Sequence, residues 1–300
     1  MPTRRLLVLL AAFTAMLAAT PAPAQERIKA VAAFSILGDL VRNVGGDRVE
    51  VATLVGPNSD AHVYSPTPGD AKKLGAAGIV VVNGLGLEGW MARLVQASGS
   101  KAQTVVASKG ITPRKMEDEG HPGHMVIDPH AWQSIANAKI YVANIRDGLS
   151  KVDPAGKAAY EANAKAYLAK LDGLEQEVRA AIVKIPPDHR KLITTHDAFG
   201  YFADAYGVQF ISPEGVSTDA EPSAKDVARI IDQVRKQRIP AVFMENISDP
   251  RMMQQIAKEA GAKIGGTLYS DALTDDKGDA PTYIDLIRHN LEQLAAALAS

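Results

Sequence analysis

The stretch from residue 153 to 185, "DPAGKAAYEANAKAYLAKLDGLEQEVRAAIVKI", constrains the fold more than any other. Tyr160, Ala164, Tyr167, Leu168, Leu171, Leu174, Val178, Ala181 and Ile185 recur at spacings of three and four, so a helix through them carries one apolar face. Asp153 is placed to cap that helix with Pro154 at its first position, and Pro186 and Pro187 stop it. At 1.5 Å per residue, ~30 residues reach roughly 45 Å. That is longer than a crossover helix and long enough to pass behind two lobes. The pattern ends with the segment, so a rigid strut is expected and a coiled coil is not.

On either side of the strut, short apolar runs alternate with helical patterns. "IKAVAAF" (28–34), "VEVATLV" (49–55), "GIVVVNG" (78–84) and "AQTVVAS" (102–108) read as buried strands before it. "KLITTH" (191–196), "VQFISP" (208–213), "PAVFMEN" (240–246) and "AKIGGTLYS" (262–270) repeat the theme after it. Helices are expected at 224–239 and over the closing "PTYIDLIRHNLEQLAAALA". Such alternation implies βαβ units and mainly parallel sheets. The expected class is α/β, with one lobe at 25–152, the linking helix at 153–185 and a second lobe at 186–300.

Residues 1–24 read as a cleaved signal peptide. Arg4 and Arg5 form a basic start, "LLVLLAAFTAMLAA" (6–19) an apolar core, and Ala22 and Ala24 a small-residue cleavage site. Fourteen apolar residues are too few to span a bilayer, which takes roughly 20. The chain has no cysteine, so it relies on its core rather than on disulfides and lacks the lipidated Cys of a bacterial lipoprotein. A free periplasmic protein is expected. Its net charge is −1 over the whole chain, with 33 basic and 34 acidic residues and no basic patch. That argues against a nucleic-acid partner, whose phosphates need Lys and Arg.

Four residues stand where open α/β sheets bind ligands, just past a strand. His62 follows "VEVATLVG", His130 follows "MVID", His196 ends "KLITTH" and Asp271 follows "AKIGGTLYS". Singly, each His reads as well as a hydrogen-bonded structural residue, and Asp271 as a cap or turn. Two come from each lobe, so the set can converge across a cleft.

The segments around these residues carry a resemblance. "GPNSDAHVYSPTPGD" (56–70), "DPHAW" (128–132), "THDAFGYFADAYGV" (195–208) and "LYSDAL" (268–273), in that order and flanking a long helix, are similar to the zinc/manganese substrate-binding proteins of bacterial ABC importers. The likeness covers essentially the whole chain after the leader. It implies His62, His130, His196 and Asp271 as metal ligands in the interlobe cleft of two α/β lobes bridged by a single helix. It also implies a monomer whose partner is an ABC permease in the inner membrane, with a periplasmic zinc metallochaperone as a further partner. A stiff bridge would leave release to local loop movement or to the transporter.

Three imidazoles and one carboxylate suit tetrahedral Zn²⁺ as the transported ion. Mn²⁺ prefers more oxygen and higher coordination. The manganese branch of the family usually replaces the third His with a carboxylate, and this chain has His196. Zinc is therefore expected, with a manganese or mixed manganese/zinc receptor as the alternative. Four protein ligands leave no position for a catalytic water, and HExxH and GxSxG are absent, so an exported zinc hydrolase is the weaker reading. A receptor for chelated iron or cobalamin would not need this ligand set.

Glu245 ends a strand of the second lobe, where it either accepts a hydrogen bond from a ligand imidazole or is a surface carboxylate or cap. Trp132 and Phe199 flank ligand segments and read as excluding water, while His189 and His289 read as solvated. His121 and His124 sit in "MEDEGHPGHMV", where zinc-binding relatives carry a longer His-rich loop. The short loop is either an accessory metal-capture device or a plain linker.

Overall fold

Eight short strands pair into two parallel sheets of the same topology. The computed structural model describes residues 26–117, 125–219 and 222–298, so the leader, His121 and His124 lie outside the described residues. In the first lobe β1 (Ile28–Phe34), α1 (Ser35–Gly45), β2 (Val49–Val55), α2 (Pro68–Gly75), β3 (Ile79–Val82), α3 (Met91–Ser98) and β4 (Gln103–Val106) build a parallel sheet of order β2-β1-β3-β4. A small antiparallel hairpin, β5 (Lys115–Glu117) with β6 (Met125–Ile127), leads into the next helix, α4 (Ile135–Val152). After the long helix α5 (Lys157–Ile182) come β7 (Lys191–Ile193), α6 (Gly200–Tyr206), β8 (Gln209–Ile211), α7 (Ala224–Gln237), β9 (Ala241–Glu245), α8 (Arg251–Ala260), β10 (Lys263–Leu268) and α9 (Tyr283–Leu298). The second sheet runs β8-β7-β9-β10, the order of the first repeated.

The strut differs from expectation at its start. Asp153 caps no backbone there: its carboxylate accepts from Arg48 and from the Tyr160 hydroxyl, and Pro154–Gly156 form a 3-10 turn before α5 begins. The 26 residues of α5 run about 39 Å. Tyr160, Ala164, Tyr167, Leu171, Leu174 and Val178 are buried along one face, as the periodicity requires. Leu168 and Ala181 are half-buried, and Ile182 closes the face where the helix ends, before the prolines. That face packs on α1 and α4 of the first lobe and on α6 and α9 of the second. One continuous apolar core therefore joins the lobes. Truncating Leu171 or Leu174 to Ala would cost about 2–5 kcal/mol.

Helix α4 was not anticipated, although Ile135, Ala138, Tyr141, Val142, Ile145 and Leu149 line its buried face. Gly148 lets it lie directly on β4, because a Cβ there would run into Val105. Several strands are shorter than the apolar runs that announced them. "KLITTH" ends as a strand near Ile193: Thr194 N still donates to the Ile211 carbonyl of β8, but the N–H groups of Thr195 and His196 donate to the Glu245 carboxylate. "GIVVVNG" ends at Val82 for the same kind of reason, since Asn83 and Gly84 donate to Glu88.

Candidate metal centre

His62 comes from the loop after β2, and its neighbours fix that loop from three sides. Trp90 Nε1 donates to the Ala61 carbonyl at 2.9 Å, and Tyr64 lies against the Trp90 ring. The Tyr64 hydroxyl donates to Asp70 at 2.7 Å, within the capping box that Thr67 and Asp70 make at the start of α2. Asp60 Oδ1 accepts from His62 N at 2.8 Å, and Asp60 Oδ2 accepts from Thr218 across the cleft at 2.5 Å.

His130 follows β6, and Asp128 sets its direction twice. One Asp128 oxygen accepts from the His130 backbone N–H and lies 2.9 Å from Nδ1, which leaves Nε2 facing inward. The other oxygen meets Arg114 at 3.3 Å. The Asp128 backbone carbonyl accepts from Tyr201 of the second lobe. His196 follows β7, and Glu245 at the end of β9 holds it. Glu245 Oε1 accepts from Thr195 N and His196 N at 2.8 and 3.0 Å, and Oε2 lies 2.6 Å from His196 Nδ1. Glu245 is buried beside the imidazole rather than lying on the surface, in ion-pair contact with Nδ1, while its hydrogen bonds go to the two backbone N–H groups.

The four candidate ligands meet. His62 Nε2 is 3.1 Å from His130 Nε2 and 3.0 Å from Asp271 Oδ2. His196 Nε2 is 3.4 Å from His130 Nε2 and 3.3 Å from Asp271 Oδ2, and His130 Nε2 is 3.6 Å from the same oxygen. All four ligand atoms lie within 4.8 Å of one another, and this is the group among the described residues able to hold a metal ion. His130, His196 and Asp271 are fully buried. His62 borders a cleft of about 500 Å³ lined by Leu85, Leu87, Met125, Ile127 and Val216, so access runs past it.

The charges fit a site that exchanges protons for a cation. Burial pulls the His130 imidazole down, but the Asp271 carboxylate, with Asp128, wins and pushes it up to about 9. His196 is held well above its usual range, because the charges of Glu245 and Asp271 overcome the same burial. Burial alone would raise the Asp271 carboxyl, yet His130 and His196 beside it hold it well below the carboxylate range.

Three further expectations change. His189 and His289 are half-buried, with ring nitrogens 3.0 Å from the Leu298 and Thr267 carbonyl oxygens, so they are not freely solvated. Trp132 does more than exclude water: its Nε1 donates to the Ser270 carbonyl. Asp128, Gln133 and Asp60 were missed. The available signal was an Asp two positions before a His, in "DPHAW" and again in "DAH" (60–62), which forms the same side-chain turn at Asp128 and at Asp60.

Two parallel α/β lobes fused along one helix, with converging imidazoles and a carboxylate between them, define a two-lobed protein with a buried centre able to hold a metal ion. Residues 30–297 match the family model described as the periplasmic component A of the zinc-uptake complex. The chain is 34% identical over 275 residues to the iron-binding protein YfeA of Yersinia pestis, covering 92% of this chain and 88% of that one. It is 35% identical over 280 residues to the manganese-binding lipoprotein MntA of Bacillus subtilis, covering 92% and 91%. The solved periplasmic zinc-binding protein TroA of Treponema pallidum superimposes with a TM-score of 0.85 at 30% identity, over 91% of this chain and all of that one. The chain belongs to this family of metal-binding substrate-binding proteins of ABC transporters, whose partner is a membrane permease.

Proposed function

We propose that the chain is a periplasmic, unlipidated receptor that captures Zn²⁺ with His62, His130, His196 and Asp271 and delivers it to an inner-membrane ABC permease. The spacing of the ligand atoms carries this reading. Five ligand–ligand separations run from 3.0 to 3.6 Å. A tetrahedral ion with bonds of about 2.0–2.1 Å has edges of about 3.3–3.4 Å, which matches zinc with nitrogen and oxygen donors. Binding needs neutral imidazoles, so the ion displaces protons and affinity falls as pH drops.

Manganese is the second reading, and one observation favours it. Asp271 Oδ1 is buried with no hydrogen-bond partner among the described residues, and a turn of the carboxylate toward the ion would make it a fifth ligand. Competitive titration of metal-stripped protein with zinc and manganese tests the choice. One zinc per chain, undisplaced by an equal concentration of manganese, is expected. Equal competition would make the cargo manganese or mixed, and no stoichiometric binding of either would sink both readings. His121 and His124 belong to the proposal as an accessory capture loop loaded from solution or by a metallochaperone. Replacing both with Ala should leave one zinc bound while slowing its loading; an unchanged loading rate would make the loop a linker.

A further inference from the structure

Asp271 follows a strand of the second lobe, where Asn290 holds the Tyr269 backbone and Asn246 donates to the Ala272 carbonyl, yet the first lobe also holds the chain that carries it. Trp132 Nε1 and Gln133 Nε2 both donate to the Ser270 carbonyl oxygen, at 2.9 and 2.7 Å. Three residues further on, Leu273 N donates to Ser35 Oγ, and the Leu273 carbonyl accepts from Asn58 N, both at 2.9 Å. Trp132 and Gln133 are fully buried and lie in the 3-10 turn Ala131–Gln133 that begins beside His130. One rigid turn thus sets both the His130 ligand and the peptide that precedes the Asp271 ligand.

The clamp has a direction. Asp271 approaches all three imidazoles most closely through Oδ2, while Oδ1 is buried and without a partner among the described residues. Gln133 Oε1 is likewise buried and unpartnered, so the amide gains only through its Nε2. An unpaired buried carbonyl is costly, which makes plain packing a poor account of a glutamine at this position. A carbonyl held by two buried donors fixes the Ser270–Asp271 peptide plane. The direction in which the Asp271 side chain leaves the backbone is fixed with it.

We propose that Gln133, seconded by Trp132, is a specificity-determining positioning residue: it presents Asp271 as a one-oxygen ligand and so keeps the site four-coordinate. The inference rests on the zinc reading above and deepens it. Zinc is satisfied by four donors, whereas manganese gains from each added oxygen. A carboxylate free to turn would bring in Oδ1 and favour manganese.

Gln133→Met keeps the volume and removes the donor. In this variant the ratio of manganese to zinc dissociation constants, measured by competitive titration, should fall by about tenfold, within the range seen when residues behind metal ligands are changed. Bound Co²⁺ should lose visible absorption as its coordination number rises. Equal weakening of both metals with an unchanged Co²⁺ spectrum would overturn the inference, as would no change at all. Trp132→Phe removes the other donor and carries the same test if Gln133→Met shows no cooperative thermal melt without metal. A wild-type protein that binds Co²⁺ stoichiometrically without a four-coordinate spectrum would sink the zinc reading itself, a result that the variants cannot mimic.

Discussion

Glu245 Oε2 lies 2.6 Å from His196 Nδ1, while Oε1 of the same carboxylate accepts from the backbone N–H groups of Thr195 and His196. Strand β9 thereby orients a ligand that belongs to the neighbouring strand β7, and Nε2 is left to face the cation. Glu245→Gln keeps the shape and removes the charge that favours a metal-bound imidazole. Zinc affinity should drop by about 10–100-fold with the stoichiometry still one. Unaltered affinity in a chelator-competition titration would reduce Glu245 to a backbone cap.

Gly200 makes a comparable prediction for the other buried imidazole. A Cβ at this first residue of α6 would stand 2.6 Å from Asp128 Oδ2 and would also strike the Arg114 guanidinium. Arg114 is partly exposed and can yield, but Asp128 is fully buried and holds His130 Nδ1. Gly200→Ala should therefore weaken zinc binding by about tenfold through Asp128, without touching a ligand. Binding at wild-type strength would show that the pair relaxes without turning His130.

Much of this was legible from residue type and periodicity. The apolar runs located the strands, and the three-and-four spacing from Tyr160 to Val178 located the buried face of α5. His62, His130, His196 and Asp271 stood out because each follows a strand. What stayed hidden were contacts whose partners are far apart in the chain. Asp60 and Thr218 are separated by 158 residues, and Gln133 lies 137 residues from the carbonyl that it holds. No local pattern encodes either pair. Strand ends were misjudged where side-chain carboxylates such as Glu245 and Glu88 take N–H groups that a ladder would otherwise use.

The Asp60–Thr218 bond spans the cleft at its open side, 2.5 Å long, and Asp60 also accepts from His62 N. It ties the loop of the most accessible ligand to the opposite lobe. Thr218→Val removes the donor with little change of volume. A hydrogen bond to a charged group contributes about 1.5–3 kcal/mol, so zinc should leave this variant about tenfold faster or more. Stopped-flow transfer of zinc to a chelator measures it, and an unchanged off-rate would mean that the loop is held by Trp90 and Tyr64 alone.

Those remaining anchors converge on Asp70, which links the His62 loop to pH. Its Oδ2 accepts from Thr67 N at 2.9 Å and from the Tyr64 and Thr67 hydroxyls at 2.7 Å each, and Oδ1 meets Lys73 at 2.9 Å. Burial opposes ionisation, but these bonds outweigh it and hold the carboxyl well below the usual carboxylate range. The Lys73 ammonium is half-exposed and contributes little. A folded-state pKa below the unfolded value of about 3.9 means that the stabilisation is complete above that pH and is lost as acid protonates the folded form. Asp70→Asn should cost about 2 kcal/mol in urea unfolding of the metal-free protein at neutral pH. That difference should shrink as the pH is lowered below about 4, since the unfolded wild-type chain then takes up a proton that the folded Asp70 carboxylate still excludes. A penalty equally large at pH ~3 would assign it to lost packing rather than to the ionised cap.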